Sequence, residues 1–353
     1  MNPEAVAVAE AVSSVLNTHR ASIRVDRLPV HASARTYYRA RSGGGRSVVV
    51  MVLPADPRSG DEVGSGSRDG KLTFLKVQRY LFDLGVRVPA VLRLDLEAGL
   101  LVMEDLGDTT LEQELLTRPG CSNTRRRLYG KAVDQLALMR CQSARRPDLA
   151  AENLSGPFDY KLLRWELDHF LEWGLCSHYG VSLTGEETGI VTEAFDDIAG
   201  RLSALSRGLT HRDYQSRNLM VVPDGLAVID FQDALLGPAV YDLVALLRDS
   251  YVILDRSLVD EMLDRYCDAC RALGGRPVDR ETLEDEFDLQ TVQRKLKDAG
   301  RFVFIDREKN NPDFMPYMEP SLRYVASALE RLPEYRRLWK VLSAHVPELR
   351  AVS

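Results

Sequence analysis

Residues 209–231 read LTHRDYQSRNLMVVPDGLAVIDF. Two short apolar runs, Leu219–Val222 and Leu226–Ile229, flank Pro223-Asp224-Gly225. Proline and aspartate start turns, and glycine supplies a positive φ at no steric cost, so the segment is expected to be a β-hairpin. The hairpin is preceded by His211-Arg212-Asp213 and by Asn218, and it runs directly into Asp230-Phe231. A hairpin here would carry two sequence-distant oxygen donors, those of Asn218 and Asp230.

His211-Arg212-Asp213-Tyr214-Gln215-Ser216-Arg217-Asn218 fits the pattern H-R-D-x-x-x-x-N of kinase catalytic loops. Phosphoryl transfer needs an attacking hydroxyl held in line with the γ-phosphate, and a carboxylate beside it to orient it and accept its proton. Asp213 is the candidate base. Magnesium is a hard cation that prefers oxygen ligands, which the Asn218 amide and the Asp230 carboxylate offer. His211 is expected to support the loop through backbone contacts, as is Asp242, either as a brace or at a helix start.

Upstream, Ile23–Val30, Thr36–Arg41, Ser47–Leu53, Val91–Leu94 and Leu100–Met103 read as strands, with His31–Arg35 and Ser42-Gly43-Gly44-Gly45 as turns. The Gly-, Ser- and charge-rich stretch 54–70 is expected to be a loop, and Lys71–Leu84 a helix ending at Gly85. Glu104–Asp108 is an acidic connector. From Thr110 onward, helical spacing dominates, including Leu111–Leu116, Arg126–Cys141 and Tyr160–Tyr179, and 209–231 is its single interruption. The fold expected is α+β, with a small strand-rich lobe preceding a larger helical lobe.

The 353 residues are 45% hydrophobic and 28% charged, with a net charge of −6. No basic tract points to nucleic acid, and no apolar run approaches the length of a membrane span. The N-terminal stretch, interrupted by Glu4 and Glu10, reads as an amphipathic helix rather than a leader, so a cytoplasmic protein is expected. Five scattered cysteines argue against a disulfide framework, and Cys267-Asp-Ala-Cys270 lies in a helical pattern without a second pair, so buried thiols are expected.

The set His211/Asp213/Asn218 followed by Ile229-Asp230-Phe231 resembles the aminoglycoside phosphotransferase and choline kinase superfamily. The longer wording, HRDYQSRNLM and VIDFQDALLGPAVYDLVALLRDSYV, is similar to the bacterial N-acetylmuramate/N-acetylglucosamine 1-kinases of peptidoglycan recycling, as are 33–51, 101–107 and 293–297. The resemblance spans nearly the whole chain. It implies a bilobal protein-kinase-like fold, with a nucleotide-binding antiparallel-sheet lobe over 1–104 and a helical catalytic and substrate lobe over 105–353. It implies ATP and Mg2+ as cofactors. Ser33, Ala34, Arg35 and Thr36 would lie over the phosphates, Glu104 and Leu106 would meet the adenine edge, and Met51 would stand where kinases usually place a lysine. The 71–84 helix has no glutamate to pair with such a lysine, and Arg35 or Arg39 are candidates for the missing charge.

An acceptor sugar is expected to face Asp213 from the 160–179 helix, whose Trp165, Phe170 and Trp173 alternate with charges. Arg164, Glu166, Gln215, Asp233 and Arg294 are the expected contacts, with Arg248 a further candidate. The reaction expected is transfer of the γ-phosphate to a sugar hydroxyl, the anomeric one of N-acetylmuramate or N-acetylglucosamine, by a monomer. Two alternatives stay open: an aminoglycoside or other amino-alcohol kinase, and a pseudokinase-like nucleotide-binding protein.

Overall fold

The computed structural model describes residues 3–28, 36–53, 70–118, 120–154 and 156–350. The chain divides into two compact units, one of 1–109 with 220–232, the other of 110–219 with 233–353. The expected turn at 31–35 and loop at 54–69 lie outside the described residues.

The first unit holds a five-stranded antiparallel sheet: β1 (Ile23–Arg27), β2 (Thr36–Ser42), β3 (Ser47–Val52), β4 (Val91–Asp95) and β5 (Leu100–Glu104), in the order β1-β2-β3-β5-β4. Period-two alternation sends Tyr38, Ala40, Val48, Val50, Leu100 and Val102 to one face. The N-terminal helix Pro3–Leu16 covers that face with Val8, Ala11, Val12 and Leu16. Met51 pairs with Tyr37 and Leu101, and Arg39 with Val49, so Met51 and Arg39 share the opposite face. The helix Gly70–Asp83 ends at Gly85, whose φ is +82°.

The connector after β5 is tied to the sheet through Arg39. This arginine is 5% exposed. Its Nε and Nη2 reach the Asp105 carboxylate at 2.8 and 2.9 Å, its Nη2 also donates to the Gly107 carbonyl at 2.8 Å, and Nη1 pairs with Asp108. Glu104 is held separately, by Arg87 at 2.5 and 2.8 Å and by the Ala90 amide.

In the second unit, β6 (Arg207–Thr210) was not anticipated. It pairs antiparallel with Leu235–Pro238, a strand that lies beyond the hairpin strands β7 (Leu219–Val222) and β8 (Gly225–Val228), and is therefore β9. Each of β6 and β9 is four residues long, and β9 contains Gly237 and Pro238, which are poor strand formers. Only the long-range partner makes them strands.

Ser122–Ala144 packs on β6 and Gly185–Ala204 on β9, and the unit further holds the helices Tyr241–Leu247, Arg256–Ala272, Arg280–Lys309 and Met318–Arg331. The expected 160–179 helix is α-helical only over Tyr160–His169 and continues as a π-helix over Phe170–His178. The 30-residue helix Arg280–Lys309 packs against it at Gly300, where an added Cβ would stand 2.9 Å from the His169 carbonyl oxygen and the Phe170 Cα. Along one side this helix buries Leu289, Val292, Leu296, Ala299 and Val303 at helical spacing. Its other side buries Gln290, Gln293, Arg294 and Asp298. Cys267 and Cys270 are buried in their helix, and all five cysteines are free thiols. No described helix is long and apolar enough to cross a membrane.

Arg39→Met would leave Asp105, whose side chain is 7% exposed, as an uncompensated buried charge. A loss of about 3–5 kcal/mol in unfolding free energy is expected. Asp108, 78% exposed, should cost under about 1 kcal/mol when changed to asparagine. Denaturant titration of both variants checks the contrast.

Candidate active site

The loop after β6 is shaped by one buried carboxylate. Asp242, at the start of the Tyr241–Leu247 helix, accepts from the His211 amide at 2.6 Å and from the Arg212 amide at 3.0 Å. Two consecutive amides converge on one side chain because Arg212 is left-handed, with φ +75°. Four non-glycine residues among those described have positive φ. Asn17 and Asn310 are asparagines at helix ends, where this conformation is cheap, whereas Arg212 and Asp230 both belong to the motif.

Arg212 is pinned at three further points. Its carbonyl accepts from Arg294 Nη1 at 2.6 Å, its Nη2 meets Glu166 at 3.3 Å, and its guanidinium lies 5.6 Å from the centre of the Phe158 ring. Glu166 is fully buried and also accepts from Gln293 at 2.8 Å. Glu166 and Arg294, expected at a sugar, are thus both buried beneath the loop and engaged with its backbone or with Arg212.

Asp213 reaches solvent, with its side chain 39% exposed. Its amide donates to His211 Nδ1 at 3.3 Å, and His211 itself is 1% exposed, which makes it a support for the loop. The Asp213 carbonyl accepts from the Gln215 amide at 2.8 Å and from Asn218 Nδ2 at 2.9 Å. Arg294 Nη2 stands 3.4 Å from its carboxylate. Burial pushes the carboxyl up, but Lys297, Arg294, Arg212 and His211 together pull it below the ordinary aspartate value, so it is an anion at neutral pH.

The far end of the loop is held by Asp249, which the sequence reading missed. Its Oδ2 accepts from the Ser216 amide at 2.9 Å and hydroxyl at 2.5 Å, and its Oδ1 from the Tyr251 amide at 3.0 Å. The usable signal was a carboxylate between Leu246-Leu247 and Tyr251-Val252, since a buried acid needs partners. Lys297, side chain 12% exposed and the strongest cation acting on Asp213, was also missed as an individual residue. Arg217 stacks 3.6 Å from the centre of the Tyr251 ring and pairs with Glu112 at 2.9 Å.

The remaining expected contacts are dispersed. Arg164 pairs with Asp168 and with Asp196, the latter at 2.7 Å, and is thereby engaged with surface carboxylates. Gln215 and Asp233 are partly buried. Trp165 and His169 stack at 5.4 Å, and Trp173 and Phe304 meet edge-on at 5.1 Å, forming an aromatic row along the 160–178 segment. Arg248 lines a cavity with Arg256, Arg323 and Arg331.

In the first unit, Asp230 follows the hairpin with φ +62°, and its Oδ1 accepts from Gln232 Nε2 at 2.8 Å. Phe231 is buried 4.8 Å from the Phe74 ring. Leu106 packs with Met220, Val222, Ala227 and Ile229 as a small apolar cluster. Glu104 directs its carboxylate to Arg87, which lowers its pKa. Met51 is 1% exposed on β3, and Thr36 opens β2 opposite Val52. Ser33, Ala34 and Arg35 lie outside the described residues. Arg39 has the right face for the missing charge, but its guanidinium is engaged by the connector.

Asp242→Asn turns one acceptor oxygen into a donor, so one of the two amides loses its partner. A loss of about 1–3 kcal/mol in unfolding free energy is expected, and turnover should drop by at least about tenfold. A folded variant with wild-type turnover would remove the clamp from the mechanism. Lys297→Met removes the strongest pull on Asp213. A depressed carboxyl pKa keeps the base ionised as pH falls, so this substitution should move the acid limb of kcat/KM upward. A pH–rate profile measures it.

The sequence profile of the phosphotransferase enzyme family (APH) matches residues 25–281. The chain is 32% identical over 313 residues to an N-acetylmuramate/N-acetylglucosamine kinase of Neisseria meningitidis serogroup B, covering 88% of this chain and 87% of that one. It is 33% identical over 314 residues to the kinase of the same name from Pseudomonas aeruginosa, covering 89% and 86%. Among solved structures, choline kinase LicA from Streptococcus pneumoniae has a TM-score of 0.57 at 18% identity, covering 93% of this chain and 98% of that one, which shows the shared protein-kinase-like fold. The chain belongs to the phosphotransferase enzyme family.

Proposed function

We propose that this phosphotransferase moves the γ-phosphate of ATP to a hydroxyl of an N-acetylated amino sugar, the anomeric hydroxyl of N-acetylmuramate or N-acetylglucosamine. The observation that carries the catalytic part is the state of Asp213. A part-exposed carboxylate, kept ionised by cations behind it and set on a loop clamped at both ends, can orient an acceptor hydroxyl and take its proton. The acceptor class rests on the activity for which the two relatives are named.

The residues fit a hard cation. Asn218 spends its amide donor on the Asp213 carbonyl, so its polar atom left to offer is the carbonyl oxygen. Asp230 adds a carboxylate. We assign Asn218 and Asp230 as magnesium ligands; magnesium ordinarily takes one or two such protein oxygens along with phosphates and water, and would neutralise charge on the phosphates. Asn218 would then have two jobs: its oxygen would hold the metal, while its nitrogen fixes the backbone that carries the base.

On the first unit, the Leu106 cluster offers apolar contact to a nucleotide base, the connector offers its backbone, and 33–36 offers contacts to phosphate. For the acceptor, Gln215 lies beside Asp213, Asp233 lies further along, and the aromatic row at Trp165–Phe304 can receive the apolar face of a sugar ring. Arg294 and Glu166 act on the acceptor through the loop, and Arg164 is the weakest of the contacts. We place the enzyme in the cytoplasm, acting as a monomer.

Purified protein with ATP and magnesium, offered N-acetylated amino sugars, plain hexoses and aminoglycosides, should release ADP with the N-acetylated sugars alone. Turnover with aminoglycosides only would overturn the acceptor assignment. Asp213→Asn should lower kcat by about 10²–10⁴-fold with little change in stability. Full activity in that variant would remove Asp213 as the base.

A further inference from the structure

The polar side of the Arg280–Lys309 helix continues past Arg294. Residues 294, 297, 301 and 304 follow one another at helical spacing, so Arg294, Lys297, Arg301 and Phe304 share one side of that helix. This stripe runs from the base toward the aromatic row. At one end Arg294 stands 3.4 Å from the Asp213 carboxylate, and Lys297 is near enough to exert the strongest pull on the same group. At the other end the Phe304 ring meets Trp173 at 5.1 Å and His169 at 5.5 Å.

The cations along the stripe are unevenly matched. Arg294 is spent on the Arg212 carbonyl and on Asp213. Lys297 has a weaker tie. Among the described residues its ammonium pairs with Asp298 Oδ1 at 3.7 Å, beyond hydrogen-bond length, and the other oxygen of that carboxylate is held by Lys295 at 2.8 Å. The Arg301 side chain makes neither an ion pair nor a hydrogen bond among the described residues, and its guanidinium lies 4.9 Å from the centre of the Phe304 ring. Both side chains are partly buried, yet the nitrogens of both keep accessible surface, so their donors can be reached by a ligand.

Stacking on Phe304 fixes the plane of the Arg301 guanidinium and leaves its N–H edge for an acceptor. Arg301 lies two turns from Arg294, about 10 Å along the axis, so it is suited to a part of the acceptor other than the hydroxyl that reacts. Trp165, at the open end of the row, is 37% exposed and can carry the apolar face of a sugar ring. Ring platform and unspent cations together suit a sugar that bears an anion. A carboxylate matches the N–H edge of a guanidinium and the point charge of an ammonium.

We propose that Lys297 and Arg301 form a carboxylate-binding subsite for the acceptor, so that the enzyme favours an amino sugar carrying a carboxylate over its neutral counterpart. The inference rests on the acceptor reading given above and goes further in dividing its two sugars. N-acetylmuramate is N-acetylglucosamine with a lactic acid joined as an ether at carbon 3, and the lactyl carboxylate is the charge by which the two differ. With the anomeric hydroxyl at Asp213, that carboxylate is carried on the far side of carbon 2, toward the stripe.

Steady-state kinetics with ATP and magnesium on three acceptors, N-acetylmuramate, its methyl ester and N-acetylglucosamine, test the inference. In the wild-type protein kcat/KM should be at least about tenfold higher for N-acetylmuramate than for either neutral sugar, the difference lying in KM. Arg301→Gln should cut that advantage to about threefold or less by raising KM for N-acetylmuramate, and should leave both neutral sugars within about twofold of wild type. Lys297→Met acts on Asp213 as well, so it should slow all three, the acidic sugar most. Each result is a ratio between acceptors on one preparation, so a variant that folds poorly lowers all rates together and leaves the ratio intact. Equal kcat/KM for the acid and its ester in the wild type, or an unchanged ratio in Arg301→Gln, overturns the subsite while the acceptor reading stands. Turnover with aminoglycosides alone overturns the acceptor reading and the subsite with it.

Discussion

The carboxylate of Asp242 receives two consecutive backbone amides, those of His211 and Arg212, and this pair of hydrogen bonds requires Arg212 to be left-handed. A non-glycine residue in that conformation persists only where its surroundings over-determine it. Here they do so from every side: Asp242 takes the amide, Arg294 the carbonyl, and Glu166 and Phe158 the guanidinium. The consequence falls on the next residue. Asp213 is turned out to solvent while its own backbone stays tied to His211, Gln215 and Asn218.

Electrostatics completes what the backbone begins. The Arg280–Lys309 helix buries an apolar stripe toward the core and a polar one toward the loop, and the polar stripe carries more charge than an interior tolerates unpaired. Lys295 meets Asp298 at 2.8 Å and Ser250 at 3.0 Å, and Arg294 stands between the Arg212 carbonyl and Asp213. Lys297, nearer the surface, completes the positive field around Asp213. The first unit uses the same logic at its connector, where buried Arg39 gathers Asp105, Gly107 and Asp108. In both units a buried arginine positions a backbone segment that it does not belong to.

Much of this was readable in the chain. The five strands of the sheet are legible as short extended runs between turn signals, Ser47–Leu53 by its β-branched residues, the 219–228 hairpin by Pro223-Asp224-Gly225, and the loop by its residue types and spacing. What escaped reading has a common cause. β6 and β9 are strands only because they pair with each other across a long separation. The π-helical turn over Phe170–His178 packs closely against Gly300, far away in sequence. Glu166 and Arg294 looked like polar residues available to a sugar, and Asp249 drew no reading of its own. Each is buried, and each gains its role from a partner at least 33 residues away.

The sequence by itself determined the local elements and the chemical inventory of the loop. Period, turn residues and motif spacing act over a few residues, and they do not depend on what the rest of the chain does. The tertiary structure alone decided which charges are buried and which are offered outward. Burial is what turns Arg294, Glu166, Asp242 and Asp249 into braces, because a charged group removed from water must find its partners inside the protein. The same constraint leaves Asp213 as the carboxylate of this loop that remains in reach of solvent.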